Sequence, residues 1–428
     1  MTDVKQYLQE ILPAVVEAGK FGIGDAKFLS FVEDKNYEEQ PHFASEVCFG
    51  NVVMETKNNG IKSQSVVVKV HSNTAPHDLE STYAQFYNEL LFYSNVLPFL
   101  RAHDTEKIID TYFPRFFYGV ATLGVDPSKD ILIFENLQTS GFRPASSRTF
   151  IDEAHFRLSL AGIARFHSLT LVAKKHDPEG LLKIVATILE TFYSEKLLKA
   201  EAVNGFYKKS CARGILPLQE DPVYKDKLDT LWKMAEKPLE SMKKIRTPVE
   251  PLTVICHGDF CKNNQLYRYN DKREPIDVKF FDLGTFRYSS PVIDLSFFLF
   301  LNTSPEMRSR RWDEFIKIYA DELKSSLSDK SISSPSLTDI SQDFQRRGFG
   351  GYVNCSFYLP MCLAGMSIVD PELANGSKED QWRSYKNSLK GGGCVRKKRV
   401  QLTRPKRGRG FIPPEPPFLS TPLTYTVI

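Results

Sequence analysis

The hydrophobic period of this chain changes character part-way along, and that change constrains the fold more than any other feature. Between Phe43 and Val70 apolar and polar residues alternate in two blocks separated by Lys57-Asn-Asn-Gly60, the pattern of a β-hairpin whose second strand is Ser65 to Val70. From Asp78 to Ala102 the period becomes helical, with Tyr83, Phe86, Leu90, Tyr93 and Leu97 on one stripe. Strand-like runs return at Arg115–Ala121 and Asp130–Phe134, and Glu135-Asn136-Leu137 then leads into a Gly/Pro/Ser-rich loop that reads as a hinge. Beyond it the spacing is mainly helical: Asp152–Lys174, Leu181–Lys199, Asp226–Lys244, Glu306–Ser326 and Phe344–Met366. One short β region, Val254 to Asp282, interrupts the helices. Strands first and helices afterwards predict an α+β chain of two lobes.

The length of 428 residues and an apolar share of 42% supply material for a large buried core. The net charge of +4 is unevenly held. From Lys390 onward nine basic residues stand against one acid, Glu415, so this tail carries +8 and the preceding body −4. The basic pI is therefore no reason to expect nucleic acid as a partner of the folded body, and binding through the tail would show itself as a steep dependence on salt. After the glycine run at Gly391 the tail's basic and proline clusters predict disorder over 390–428. The seven cysteines have no metal-ligand spacing and read as reduced thiols. The N-terminus lacks a secretory core; Tyr7, Leu8, Ile11, Leu12, Val15 and Val16 recur at helical spacing. No apolar run approaches the roughly 18 residues of a membrane span, and the expected location is cytoplasmic.

The chemistry concentrates between Val254 and Gly284. Gln265–Tyr269 and Asp277–Phe281 are strand-like, and the polar connector Asn270–Pro275 makes them an antiparallel hairpin. With Tyr269 facing Asp277, Asn264 faces Asp282, and opposed residues lie roughly 4.5–5.5 Å apart. An amide oxygen and a carboxylate would then meet at one hard cation, a magnesium (Mg2+) site. Asp259, in the loop entering the first strand, can face the same space and take a proton from a hydroxyl. Any one of these residues alone would pass for a cap or a turn; together they make a site.

Upstream, Lys69 ends a run of valines, where a buried ammonium needs an anionic partner. Glu89, between Phe86 and Tyr93 on the core-facing stripe of its helix, offers one. Lys69 would hold nucleotide phosphates with Glu89 fixing its position. His257 reads as bonding the loop backbone, His167 as a packed residue, and Cys355 and Cys362 as core.

These residues resemble the protein-kinase-like superfamily, its aminoglycoside and choline kinase branch, and within that the ecdysteroid kinase-like family. The likeness rests on His257-Gly-Asp259 through Asn264, Val278-Lys-Phe-Phe-Asp282, Arg287-Tyr-Ser-Ser-Pro-Val-Ile-Asp294, Phe86-Tyr-Asn-Glu89, Ile133-Phe-Glu135-Asn-Leu137 and Ala164-Arg-Phe-His167. It implies a bilobal protein-kinase-like fold: residues 1–137 as a small nucleotide-binding lobe with a leading helix and an antiparallel sheet, and residues 138–389 as a larger helical lobe for catalysis and the acceptor. It implies Asp259 as base, Asn264 and Asp282 as metal ligands, Lys69 with Glu89 at the phosphates of ATP, Glu135 and Leu137 at adenine, and Asp294 as a brace. Three departures stand out. The loop expected over the phosphates, Glu38 to Glu46, has no glycine, and Ser45 stands where this branch often has a serine. Cys261 replaces a frequent tryptophan, and Leu283-Gly284 a frequent Phe-Gln.

The function expected is transfer of the γ-phosphoryl group of ATP to a hydroxyl of a small molecule, an ecdysteroid or related sterol being the first acceptor to test. The alternatives are a kinase of choline-like or xenobiotic alcohols, and a non-catalytic nucleotide- or steroid-binding module. Oligomeric state is not written in the sequence.

Overall fold

The computed structural model describes residues 2–364, except 36–44, 58–59, 72–78, 148, 223, 225–227 and 328. The basic tail and most of the loop expected over the phosphates lie outside the described residues.

Five antiparallel strands form the N-terminal sheet: β1 (Ala26–Glu33), β2 (Ser45–Thr56), β3 (Gly60–His71), β4 (Phe116–Val120) and β5 (Ile131–Glu135), in the order β1-β2-β3-β5-β4. Period-two alternation decides what each face of β3 does. Val66 and Val68 point to one face and are fully buried with Ile131 and Ile133 against Leu8, Leu12, Val15 and Val16 of the first helix, α1 (Thr2–Glu17). Burying each such side chain contributes about 1.5–3 kcal/mol. Lys69 has the opposite parity and points to the other face, where α2 (Leu79–Leu91) packs. Strand β1 carried no clear alternation and was not expected.

Helix α2 runs through a wide π turn at Phe92–Val96 into α3 (Leu97–Ala102), with the Leu97 amide bonding back to the Phe92 carbonyl. Pro98 has no N–H to continue the regular ladder. The turn sets Phe92 among Phe113, Phe166 and Phe286, with ring centroids 5.0, 6.0 and 5.4 Å away. Aromatic packing thus ties the sheet's helix to segments far along the chain.

The short helix α4 (Ile109–Tyr112) precedes β4, and after β5 helices dominate: α5 (Glu153–His176), α6 (Pro178–Val185), α7 (Glu195–Lys199), α8 (Glu201–Ile215), α9 (Asp229–Glu236), α10 (Pro238–Arg246), α11 (Val292–Asn302), α12 (Pro305–Ser325), α13 (Leu337–Arg347) and α14 (Phe349–Ala364). Between α10 and α11 lie two small ladders, β6 (Val254–Cys256) with β9 (Arg287–Ser289) and β7 (Gln265–Tyr269) with β8 (Pro275–Phe280). The fold is α+β, with the antiparallel sheet in the N-terminal region and a mainly helical remainder. No helix among the described residues is long and apolar enough to cross a membrane.

Three expectations need correction. The helix foreseen over 181–199 breaks at 186–194, because side chains of α2 capture its backbone: Asn88 exchanges hydrogen bonds with Leu189 N and O (3.0 and 2.8 Å), and Ser81 donates to the Thr191 carbonyl. The helix foreseen over 226–244 is two, because Pro238 starts a new one. The last expected helix begins earlier, at a Ser336/Asp339 capping box, and is broken at Gly348.

Candidate active site

The hairpin β7–β8 forms, but its register is one residue away from that expected. Arg268, not Tyr269, faces Asp277; Gln265 faces Phe280, so Asn264 lies opposite Phe281, whose amide donates to the Asn264 carbonyl at 3.2 Å. A bulge between Arg268 and Tyr269 and the left-handed Arg273 (φ 64°) of the connector absorb the extra residue. Asp282 is therefore outside the ladder. It adopts a left-handed conformation itself, φ 65°, which aspartate tolerates better than most residues and which turns the chain out of β8. Register did not bring Asn264 and Asp282 to their places; the turns did.

Asp282 meets the sheet through Lys69. The Lys69 ammonium lies 2.5 Å from Glu89 Oε2 and 2.8 Å from Asp282 Oδ1. Glu89 also accepts the backbone N–H of Leu283, so one buried carboxylate positions both the lysine and the residue after Asp282. Gly284 completes this approach: a Cβ there would stand 2.9 Å from the Gln85 carbonyl of α2. Burial works against the Lys69 ammonium, but the charges of Asp282 and Glu89 outweigh it and raise its proton affinity above the ordinary lysine value. The lysine is cationic.

Asp259 lies in the loop between β6 and β7, half-buried, with Asn264 Nδ2 donating to both its Oδ2 and its carbonyl oxygen at 2.9 Å. These bonds occupy the amide nitrogen and leave the Asn264 side-chain oxygen to face elsewhere. Burial first, and the Asp282 charge second, push the Asp259 carboxyl up to about 6, with the Asn264 hydrogen bond and the more distant Arg246 charge opposing them. Asp259, Asp282 and Glu89 are three acids against the single Lys69 ammonium, a surplus of negative charge that suits a divalent cation. Asn264 and Asp282 are hard oxygen donors of the kind magnesium takes.

The loop is held from behind by Asp294 of α11, fully buried. It accepts the amides of His257 (2.7 Å) and Gly258 (2.8 Å) and the ring Nε2 of His167 (3.1 Å), whose Nδ1 is bonded to Tyr319. Burial alone would raise the Asp294 carboxyl, but the His167 bond and the His167 and His257 neighbours outweigh it and lower it. Gly258 has φ 86°, and a Cβ there would lie 1.9 Å from the Thr285 carbonyl, so the turn before Asp259 requires glycine. His257 Nε2 donates to the Phe281 carbonyl at 3.0 Å, and burial lowers its proton affinity. It links the Asp259 loop to the approach of Asp282 and stays neutral.

The remaining expected residues lie at the ends of interior strands of the sheet. Ser45 opens β2 opposite His71 and is buried. Glu135 ends β5 with Oε1 accepting the Arg115 amide at 3.1 Å, and the Leu137 side chain is buried. Sequence reasoning passed over Asn136 between them. It is buried, donates to Ser65 Oγ and caps the following turn through the Gln138 amide, so it fixes the course of the segment. Arg246 and Arg287 were also missed, though Arg287, between Phe286 and Tyr288, is an arginine in an apolar setting.

A profile of the ecdysteroid kinase-like family matches residues 40–331, more than half of the chain. No curated protein sequence gives a significant match. Similar solved structures include the streptomycin–ATP–APH(2″)-IIa ternary complex, 12% identical, covering 89% of this chain and 95% of that one with a TM-score of 0.33. Another is the microcompartment-associated aminopropanol kinase, 12% identical, covering 91% and 97% with a TM-score of 0.40.

Proposed function

The chain belongs to the ecdysteroid kinase-like family, and on that premise we propose that it is an ATP-dependent phosphotransferase acting on a hydroxyl of a small molecule, an ecdysteroid or related sterol first among them. The observation that carries this reading is the convergence of Lys69, Glu89 and Asp282 on one ion-pair cluster, with Asp259 and Asn264 hydrogen-bonded on the adjoining loop. Residues 1–137 would bind the nucleotide and 138–389 the acceptor.

Lys69, held by Glu89, would bind phosphate oxygens, and the segment Glu135 to Leu137 would receive adenine, with Ser45 at the phosphate end. Asp259 would orient the acceptor hydroxyl and take its proton while the acceptor oxygen bonds the γ-phosphorus, the β–γ bridging bond breaks and ADP leaves. A carboxyl at about 6 is mostly ionised at neutral pH and can accept that proton. Asn264 and Asp282 would hold magnesium, which when bound neutralises phosphate charge. Asp294 positions the loop without touching substrate.

The test is mass spectrometry of reactions with Mg-ATP and a panel of ecdysteroids, other sterols, choline and glycosides, using the wild type and Asp259→Ala. A phosphorylated product made only by the wild type is expected. Binding of Mg-ATP with no product from any acceptor would instead support a non-catalytic binding module.

A further inference from the structure

A cavity of about 260 Å3 opens where the segment after α6, the end of α10 and strand β9 meet. Its charged walls are Glu190, Lys243, Arg246 and Arg287, with Tyr193 between the two arginines. Arg246 is 8% exposed and Arg287 9%. Both guanidinium groups crowd the same Tyr193 ring, 4.8 and 5.9 Å from its centroid, and Arg246 Nη1 donates to the Tyr193 hydroxyl.

The charges in this wall do not balance. Glu190 is the single carboxylate among the lining residues; its Oε1 already accepts the Phe192 and Tyr193 amides at 2.8 and 3.1 Å, and its Oε2 lies 3.6 Å from Arg287 Nη1. Three cations face it. The Nε of Arg246 and the Nε of Arg287 are buried and meet no acceptor among the described residues. Leaving such a donor unmet is costly, more so when the group is charged, and two adjacent buried cations repel. Burial first, and the neighbouring Arg246 charge second, lower the proton affinity of Arg287. An oxyanion matches what the pair leaves unmet, because a guanidinium fork binds two oxygens of a carboxylate, sulfate or phosphate through paired N–H donors.

The cavity's place relates it to catalysis. Arg287 lies opposite Cys256 in the β6–β9 ladder, and Cys256 leads directly into His257-Gly258-Asp259. Ser289 Oγ donates to the Arg246 carbonyl at 2.7 Å, fixing the end of α10 to the same ladder. The Arg246 charge also reaches Asp259. At about 260 Å3 the space falls below the roughly 300–1,000 Å3 of pockets that enclose drug-sized ligands. It can seat one anionic group, with the rest of a larger molecule outside.

We propose that this cavity binds an oxyanion, and that the group occupying it is a carboxylate, sulfate or phosphate carried by the acceptor besides the hydroxyl it presents. The second half rests on the kinase reading; the first does not.

The experiment is titration of sodium sulfate into the full chain at constant ionic strength held with chloride, followed by calorimetry and thermal shift. Wild type, Arg287→Gln, Glu190→Gln and Lys69→Met are compared. Sulfate binding that weakens at least tenfold in Arg287→Gln, tightens severalfold in Glu190→Gln and persists in Lys69→Met is expected. No binding to wild type, or binding lost in Lys69→Met but not in Arg287→Gln, overturns the subsite. If Arg287→Gln does not fold, Glu190→Gln decides: unchanged or weaker binding rejects the proposal. A second arm compares Mg-ATP turnover of neutral sterols with their sulfate and glucuronate conjugates. Conjugates turned over with a KM at least tenfold higher in Arg287→Gln support an acceptor-borne anion. Neutral sterols turned over at unchanged KM in Arg287→Gln assign the site to a free anion and overturn that half. The sulfate pattern without transfer to any acceptor leaves the subsite standing while the kinase reading fails.

Discussion

Replacing Asp259 by asparagine should make the metal-free protein more stable while removing its activity. The folded protein holds this carboxyl at about 6, whereas an aspartate in an unfolded chain titrates near 4. A difference of about two units, at about 1.4 kcal/mol per unit, sets an upper value of roughly 3 kcal/mol. Because Asp259 is only half-buried, water screens part of this, and about 1–3 kcal/mol is the expected range. The sign follows from proton linkage. Between about pH 4 and pH 6 the folded state holds a proton that the unfolded state has released, so wild-type stability falls as pH rises through this window and levels off above it. Asparagine keeps an oxygen to accept from Asn264 and has no such slope. Urea unfolding of both proteins in EDTA at pH 4, 5, 6 and 7.5 should therefore show curves that nearly coincide at pH 4, with the variant increasingly the more stable toward pH 7.5. Turnover should fall by about 10²–10⁴. A variant no more stable than wild type at pH 7.5, or a gap that does not change with pH, would refute the account of Asp259 as a carboxylate destabilised by burial and by Asp282.

Asp294→Asn presents an amide to three donors that a carboxylate now satisfies. It should cost about 3–5 kcal/mol in urea unfolding. Gly258→Ala meets both a left-handed backbone and the Thr285 carbonyl, and should lower kcat at least tenfold by displacing the turn before Asp259. Glu89→Gln keeps the shape beside Lys69 but removes one of its two charges; a hydrogen bond to a charged group contributes about 1.5–3 kcal/mol, so the affinity for a non-hydrolysable ATP analogue should drop about tenfold in a fluorescence titration. Asn88→Ala frees the backbone of Leu189 and should destabilise the protein by about 1–3 kcal/mol, read as a lowered thermal midpoint.

Much of the site could be seen in the sequence as a set of residues. Lys69 in a valine-rich strand and Glu89 on an apolar helical stripe each posed the problem of a buried charge, and their pairing at 2.5 Å answers both. The spacing of Asp259 and Asn264 gave a loop short enough to bring an amide onto the carboxylate. The route to Asp282 was misread. A hairpin's register is fixed by its turn and bulges, and here they moved the pairs from Gln265 to Arg268 by one place. The segment after α6 is likewise not the helix its own residues favour, because Asn88 and Ser81, about a hundred positions earlier, bond its backbone.

The sequence by itself determined the α+β order of elements, the family and the residues able to carry the chemistry, because period-two and helical spacing and short motifs are encoded between near neighbours. Tertiary structure alone decided the left-handed turn that presents Asp282, the bond from His167 to Asp294 behind the Asp259 loop, and the meeting of Arg246 with Arg287 around Tyr193. These depend on the conformation of single turn residues and on contacts between distant segments, which form only when burial of the surrounding core brings those segments together.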